Sequence, residues 1–307
     1  MKISVADNQS LKFDAELLEY WKSKGHEVKY EMGASEHLFQ WCDLYYINFW
    51  DNNVNYLYKW HLEHPEVKKP QIVVRVLDWD YWCGFIRNQE QVNWVDKIIC
   101  IASHIARRIE KEVNVAGKLF IIKPGIDLEK WPLRELQNNK KIIMFVNEID
   151  WYLKHTIEGL KIFTELLEYD KDYHLTIKGK WCQTEYFQEL IRHYVKINWL
   201  EEKVVFDDGW TEDLNGYLEP FDYLLLPSLK EAFSFVTAQC AAKGIKPVLN
   251  WWMGAEEVWP KEWLYRTVAE AIKIFEEKPE PVKYRKVVEE RYDLERMVSE
   301  YDALLGT

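Results

Sequence analysis

The chain has no stretch near the roughly 18 uninterrupted apolar residues that a membrane span needs. Its start, MKISVADNQS, has neither an apolar h-region nor a small-residue cleavage site, so a soluble protein that stays in the cytoplasm is expected. Cysteine is scarce. Cys42, Cys83, Cys100, Cys182 and Cys240 are odd in number, far apart and never in a C-x-x-C pair, which argues against a disulfide framework or a zinc site and for buried reduced thiols. Positive charge is in deficit, with 40 Lys and Arg against 51 Asp and Glu for a formal net charge of −11. Such a field repels phosphate backbones and anionic lipid, which counts against nucleic acid or membrane as the main partner. The stretch Arg107 to Lys111 accordingly reads as a solvated basic helix face rather than a membrane dock. Also absent are G-x-G-x-x-G, the Walker P-loop, H-E-x-x-H and G-x-S-x-G, so dinucleotide oxidoreductase, nucleoside triphosphatase, zinc protease and hydrolase readings lack their usual support. No solenoid-period repeat or low-complexity tract is found.

What is present is an ordinary globular composition: 307 residues, 48% hydrophobic and 30% charged, enough for a sizeable core and more suited to two domains than one. The anomaly is aromatic, with 16 tryptophans and 18 tyrosines. Such rings can stack on sugars and bases, but packing is the commoner use of any one of them.

The opening reads strand, helix, strand: Ile3 to Ala6, a helical spacing of Leu17, Leu18, Tyr20 and Trp21 within Phe13 to Lys24, then Val28 after Gly25-His26. Further strand candidates are Leu44 to Ile47, Ile72 to Leu77, Lys97 to Ala102 and Leu119 to Ile122, the alternation expected of a parallel sheet. Pro124-Gly125, Trp131-Pro132 and the polar run Gln137 to Lys141 carry turn chemistry, and the domain linker is expected between about 124 and 140. A second series follows. Strands are predicted at Lys141 to Val146, His174 to Lys178, Val204 to Phe206, Tyr223 to Leu226 and Pro247 to Leu249, and helices at His155 to Tyr169, Glu185 to Lys196, Leu214 to Leu218 and Phe235 to Ala242. Helical patterns at Pro260 to Glu277 and Pro281 to Leu305 end the chain.

The densest signal lies between Val204 and Val258. A strand ending in Pro227-Ser228, a loop from Leu229 to Ser234 and a helix from Phe235 set a carboxylate and backbone amides at a strand C-terminus and a helix N-terminus, where open α/β sheets bind ligands and a diphosphate is favoured. The stretch from Tyr223 through Pro227-Ser228, Glu231, Gln239 and Gly244 to Pro247-Val248 resembles the nucleotide-sugar-binding segment of glycosyltransferase family 4 and its GT-B relatives, whose pattern is D-x-x-x-x-P-S, then E, seven residues, E, then G-x-P-V. Around it, in order, Pro124-Gly125-Ile126-Asp127 is similar to the family's P-N-G-V-D, Phe145-Val146 to the strand before G-R-L, Ile177-Lys178-Gly179 to V-x-G, Val205 to Gly209 to V-x-F-x-G, and the run Trp251 to Val258 to G-G-x-x-E-x-V.

The resemblance implies an α/β protein of the GT-B fold, two Rossmann-like doubly wound domains facing a cleft, with the C-terminal helix crossing back to the first. The expected division is 1–130 plus a terminal helix about 285–307 for the acceptor side, and 131–284 for the nucleotide-sugar side. It implies a retaining, metal-independent transfer from a nucleotide-diphosphate sugar as co-substrate, with no cofactor. Glu231 would contact donor-sugar hydroxyls, Lys154 the pyrophosphate, and the amides of Ser234, Phe235 and Val236 sugar and phosphate. Gln239 would replace the glutamate that binds the ribose, Gly179 and Gly209 would line the donor site, and Trp210 would lie near the base. The acceptor, whether glycan, lipid, protein or modified base, is not encoded in these motifs.

There are departures. Glu148 stands where the family has the arginine of G-R-L, with Asn147 in place of its glycine. Two unit charges about 5 Å apart at an effective dielectric near 20 interact by roughly 3 kcal/mol, so that exchange is serious unless Glu148 turns away, Lys178, Lys180 or Lys230 substitutes, or the donor differs. Gln239 for glutamate is milder, since an amide still hydrogen-bonds a diol. Asn8-Gln9-Ser10 replaces the glycine-rich loop after the first strand. On the acceptor side, Asp78 is the nearest polar substitute for the family's histidine. Asp78-Trp79-Asp80 is also a D-x-D, the metal signature of GT-A enzymes, and gives a rival architecture; a solvated strand end is its plainer meaning. Glu148 and Gln239 also motivate a second function, a catalytically impaired nucleotide-sugar-binding or scaffold protein of the same fold.

Overall fold

Strands of a parallel sheet with helices on both faces are covered on both sides, so they read as unbroken apolar runs. Leu44 to Ile47, Ile72 to Val74 and Tyr223 to Leu226 are such runs, and all are buried. The computed structural model describes residues 1–8, 14–146, 151–180 and 185–306, and for Asp78, Trp151, Tyr152 and Glu185 the backbone alone. The chain divides into two compact units, Met1–Gly125 with Leu294–Thr307, and Ile126–Asp293.

The first unit runs β1 (Lys2–Asp7), α1 (Ala15–Ser23), β2 (Glu27–Met32), α2 (Glu36–Trp41), β3 (Leu44–Asn48), α3 (Asn52–Glu63), β4 (Gln71–Val76), α4 (Asp78–Trp82), α5 (Gln89–Trp94), β5 (Lys97–Cys100), α6 (Ser103–Glu112) and β6 (Leu119–Ile121). Its six strands are parallel in the order β2-β1-β3-β4-β5-β6, so the winding reverses between β1 and β3.

The second unit runs β7 (Lys141–Phe145), α7 (Trp151–Lys154), α8 (Thr156–Tyr169), β8 (His174–Gly179), α9 (Glu185–Ile197), β9 (Val204–Asp208), α10 (Leu214–Tyr217), β10 (Tyr223–Leu226), α11 (Phe235–Ala242), β11 (Lys246–Asn250), α12 (Ala255–Val258), a 3-10 turn at Lys261–Trp263, β12 (Leu264–Tyr265), α13 (Val268–Glu276) and α14 (Pro281–Arg291). Its strand order is β12-β11-β10-β7-β8-β9, again six and parallel. Counted from β7 this is the Rossmann 3-2-1-4-5-6 order, and the reversal falls between β7 and β10. Both sheets are therefore doubly wound. The core joins Ile142, Met144 and Ile177 of the sheet to Leu160, Phe163 and Leu166 of α8. A side chain at Gly159 would bring a Cβ within 2.4 Å of Met144 Sδ and 3.1 Å of Pro227 Cγ, so its hydrogen lets α8 sit directly on β7 and the end of β10.

The last helix, α15 (Leu294–Leu305), completes the first unit. Met297, Val298, Tyr301 and Leu305 join Leu17, Leu18 and Trp21 of α1 and Tyr46 and Val73 of the sheet in one core. Inside it Arg75 pairs with Asp14, their side chains 3% and 1% exposed. The Tyr46 hydroxyl donates to Asp14 at 3.4 Å and shares a 3.1 Å hydrogen bond with Tyr301. Burial raises the Asp14 carboxyl above its ordinary range, against the pull of the Arg75 charge.

Several sequence expectations are corrected. The boundary falls at 125/126, within the stretch expected to hold the linker, and the polar run after it is bound into the second unit. The buried Asp222 carboxylate accepts from the Gln137 and Asn139 amides at 3.1 and 2.8 Å and pairs with Arg134 at 3.5 Å. The pattern from Pro281 to Leu305 is two helices, and only the second belongs to the first unit. The chain turns at Tyr292, whose hydroxyl donates to the Val258 carbonyl and whose ring packs on Phe233 and Trp259. Pro260 to Glu277 is likewise interrupted by β12, which pairs with β11 before Thr267 and Glu270 box the start of α13. Cys83 is exposed, whereas Cys100 and Cys240 are buried; all are free, and Cys182 lies outside the described residues. Trp21, Trp50, Trp252 and Trp259 are core, the packing use of aromatic residues.

Asp222→Ala is expected to destabilise the protein by on the order of 3–5 kcal/mol, because it leaves the buried Arg134 charge and two amides without their acceptor. Urea unfolding of wild type and variant measures this. A loss below 1 kcal/mol would mean that water replaces the carboxylate at no cost.

Candidate functional site

The site is built at the carboxyl ends of β7 and β10, where the winding of the second sheet reverses. β10 is followed by Pro227-Ser228, and Asn250 at the end of the neighbouring β11 donates to the Ser228 carbonyl at 3.1 Å, fixing the exit of the chain. The Leu229 amide then donates to the Leu153 carbonyl at 2.8 Å, so the loop after β10 is tied to α7. That backbone bond explains the main side-chain contact of the site. Lys154 Nζ lies 2.5 Å from Glu231 Oε1, with side chains 23% and 13% exposed. Two residues 77 positions apart, each singled out from the sequence, thus form one charge-assisted pair.

Beside this pair the backbone enters α11 through Ser234, which sits in the left-handed region at φ 70°. The Ser234 carbonyl accepts from the Thr237 and Ala238 amides, and its hydroxyl shares a 2.8 Å hydrogen bond with Thr237 Oγ1. The first turn of α11, with Phe235 and Val236, carries the positive end of the helix dipole. The turn is held from below by aromatic packing: Phe233 stacks on Trp259 at 5.4 Å and meets Tyr292 edge-on at 4.8 Å, while Trp259 Nε1 donates to the Phe233 carbonyl. Part of the tryptophan excess is therefore structural support for this loop. Gln239 follows on the second turn, half-buried.

A second pair of turns lies at the ends of β8 and β9. Gly179 adopts φ 140°, and a Cβ there would approach the Val146 carbonyl oxygen to 2.0 Å, so only glycine fits. Gly209, at φ 99°, donates its amide to the Gly179 carbonyl at 3.2 Å, and Trp210 next to it is exposed. Lys178, one of the cations considered as a substitute for the missing arginine, is committed elsewhere. It pairs with Asp207 at 2.9 Å, and Tyr217 donates to the same carboxylate at 2.6 Å. Those two bonds, Tyr217 first, hold the Asp207 carboxyl below its ordinary range. Asn147 and Glu148, at the family's glycine and arginine positions, and Gln9 and Ser10 after β1 lie outside the described residues.

Asp78 belongs to the first unit, where it opens α4 directly after β4; its side chain lies outside the described residues. The D-x-D reading loses its second carboxylate. Asp80 is buried, and its Oδ2 accepts from the Leu77 amide at 2.8 Å, capping α4. Asn250, Thr237 and Asp222 were not singled out as site or support residues. Asp222 stands at the aspartate of the family's D-x-x-x-x-P-S pattern, and in this fold that position ties down the segment before β7. Among the described residues no helix is long and apolar enough to cross a membrane.

Two doubly wound parallel sheets in one chain are the architecture of the GT-B fold, and the solved structures it resembles share it. Among solved structures, the sucrose-phosphate synthase of Thermosynechococcus elongatus is similar over 99% of this chain and 98% of its own, at TM-score 0.77 and 13% identity. Anabaena HepE, solved in complex with UDP and glucose, is similar over the whole of both chains at TM-score 0.72 and 13% identity. The lipopolysaccharide outer core galactosyltransferase WaaB is similar over 100% of this chain and 99% of its own, at TM-score 0.72 and 13% identity. No protein-family model and no curated protein sequence matches the chain.

Proposed function

We propose that the chain is a glycosyltransferase that moves a sugar from a nucleotide-diphosphate donor to an acceptor, with the donor held by the second unit. The observation that carries this reading is the Lys154–Glu231 pair at 2.5 Å beside the N-terminus of α11. An ammonium, a carboxylate and a helix dipole within one turn match the three demands of the donor: a diphosphate to be neutralised, sugar hydroxyls to be oriented, and a negative leaving group to be stabilised as its bond to the anomeric carbon breaks. Lys154 and the first turn of α11, at Ser234, Phe235 and Val236, take the diphosphate, Glu231 the sugar hydroxyls, Gln239 the ribose, and Trp210, past Gly179 and Gly209, the base. HepE, of the same fold, was solved with UDP, which favours uridine as that base.

Transfer with retention and without a metal is the finer form of the proposal, and Asp78 its acceptor-side polar group. The alternative of a catalytically impaired binding or scaffold protein is not favoured, since the lysine and the first glutamate of the donor site are both kept and paired. A thermal-shift panel of uridine, guanosine, adenosine and cytidine diphosphates, followed by donor turnover with and without EDTA, tests the reading. At a nucleotide concentration near 100 Kd a bound nucleotide adds about 2.7 kcal/mol of stability. One nucleotide should raise the melting temperature and turnover should persist in EDTA. No shift with any of the four would remove the donor assignment, and strict dependence on manganese or magnesium would remove its metal-free form.

A further inference from the structure

The first unit contains a cavity of about 740 Å³ past the carboxyl ends of β3 and β4, walled by the start of α3 and by the turn that enters α5. Its chemistry is unusual. Five of its lining side chains are carboxamides, Asn52, Asn55, Asn88, Gln89 and Gln91, joined by one ring, Phe85, and one guanidinium, Arg87. We propose that this cavity binds a neutral saccharide, and that this saccharide is the acceptor of the transfer; the second clause rests on the glycosyltransferase reading above.

The argument is one of complementary hydrogen bonding. Each sugar hydroxyl is a donor and an acceptor at once, and neighbouring hydroxyls lie a few ångströms apart. A carboxamide carries both functions on one planar head, so the groups that Asn52, Asn55, Asn88 and Gln91 keep free of internal hydrogen bonds can meet a run of hydroxyls as donors and acceptors. A lipid chain needs apolar walls, which a single ring does not supply. A phosphate needs an excess of cations, whereas here the one guanidinium, Arg87, shares the lining with two carboxylates, Asp51 and Glu90. The volume falls within the range of about 300–1,000 Å³ of small-molecule sites.

The wall is also braced, so little order has to be gained on binding. Asn88 caps α5, its Oδ1 accepting from the Glu90 and Gln91 amides at 2.9 and 3.4 Å. Gln91, 6% exposed, donates from Nε2 to Asn55 Oδ1 at 3.0 Å and so links α5 to α3. Gln89 donates from Nε2 to the Asn114 carbonyl at 2.9 Å and to Asn93 Oδ1 at 3.0 Å and accepts from the Asn114 amide at 2.8 Å, so its head braces the wall and leaves the hydroxyls to the other four carboxamides. Asn52, the first residue of α3, is exposed at the rim.

The test uses the full chain on a printed array of neutral and acidic oligosaccharides and on phosphatidylglycerol vesicles, with calorimetry of the best-bound saccharide and, separately, of UDP. A neutral saccharide should bind. Asn55→Ala and the rim variant Asn52→Ala should each weaken it at least tenfold while leaving UDP affinity unchanged. The proposal is overturned by the absence of any neutral saccharide ligand, by preference for acidic saccharides or vesicles, or by binding that survives both substitutions. Saccharide binding without nucleotide binding would leave this site standing and remove the donor reading; nucleotide binding without saccharide binding would do the reverse.

Discussion

Replacing Glu231 by alanine is expected to lower sugar transfer by about 10³-fold, the upper range for loss of one well-placed polar group at a reacting centre, while the fold and the affinity for nucleoside diphosphate survive. Lys154→Ala should behave differently. At about 4 Å and an effective dielectric near 20, an ammonium and one negative charge of a diphosphate interact by about 4 kcal/mol, so even a fraction of that should weaken nucleotide binding at least tenfold along with turnover. The two residues touch each other at 2.5 Å, yet they separate in the measurement: calorimetry with nucleotide distinguishes the lysine, and single-turnover transfer registers both. Full activity in Glu231→Ala would remove that residue from the reaction, and undiminished nucleotide affinity in Lys154→Ala would move the diphosphate away from it. Because each substitution leaves its partner half-buried and unpaired, the double variant should be more stable than the sum of the two single losses suggests.

Removing the chain after Asp293 should unfold the first unit. Met297, Val298, Tyr301 and Leu305 are all within 9% of full burial, and at about 1.5–3 kcal/mol each their loss is on the order of 6–12 kcal/mol, comparable to the whole stability of a domain. The truncation also strips Tyr301 from Tyr46, above the buried Arg75–Asp14 pair. Limited proteolysis should then cleave within Met1–Gly125 while the second unit, which is contiguous, keeps its protection and its nucleotide affinity. An unchanged melting temperature after truncation would mean that α15 contributes nothing to that core.

Which parts were legible in the sequence follows from element length. Strands such as Leu44 to Ile47 and Tyr223 to Leu226 announce themselves because burial on both faces leaves no room for a polar residue. α8 and α9 are long enough to show a helical period, whereas α2, α4, α5, α7 and α12, of four to six residues, complete too few turns to show one. Chain breaks inside amphipathic stretches were missed for a related reason. Tyr292 and Leu264–Tyr265 keep the apolar spacing, and only the partners they find, Val258 and β11, end the helices.

Within the site, the resemblance gave Lys154 and Glu231 separate roles at one donor, and their pairing was not foreseen, because no local pattern joins residues so far apart. Asp222 and Arg75 offered a usable signal that was passed over. A charged residue inside or against an apolar parallel strand needs a buried counter-charge, and each has one, in Arg134 and Asp14. The carboxamide cavity was missed because its residues come from two short runs, Asp51 to Asn55 and Arg87 to Gln91, neither of which is a motif by itself.

The assignment of α15 to the first unit has a consequence for how the protein is made. Residues 126–293 form one uninterrupted unit, whereas 1–125 wait for 294–307. A nascent chain leaving the ribosome can therefore close its second unit first, reversing the usual N-to-C order of domain completion. Until α15 emerges, the surface it covers, Leu17 and Trp21 of α1 and Tyr46 of the sheet, is open to water, to other nascent chains and to chaperones. Chains interrupted between Asp293 and the end of α15 would carry a complete second unit and an unfinished first one, so proteolytic surveillance should fall on residues 1–125.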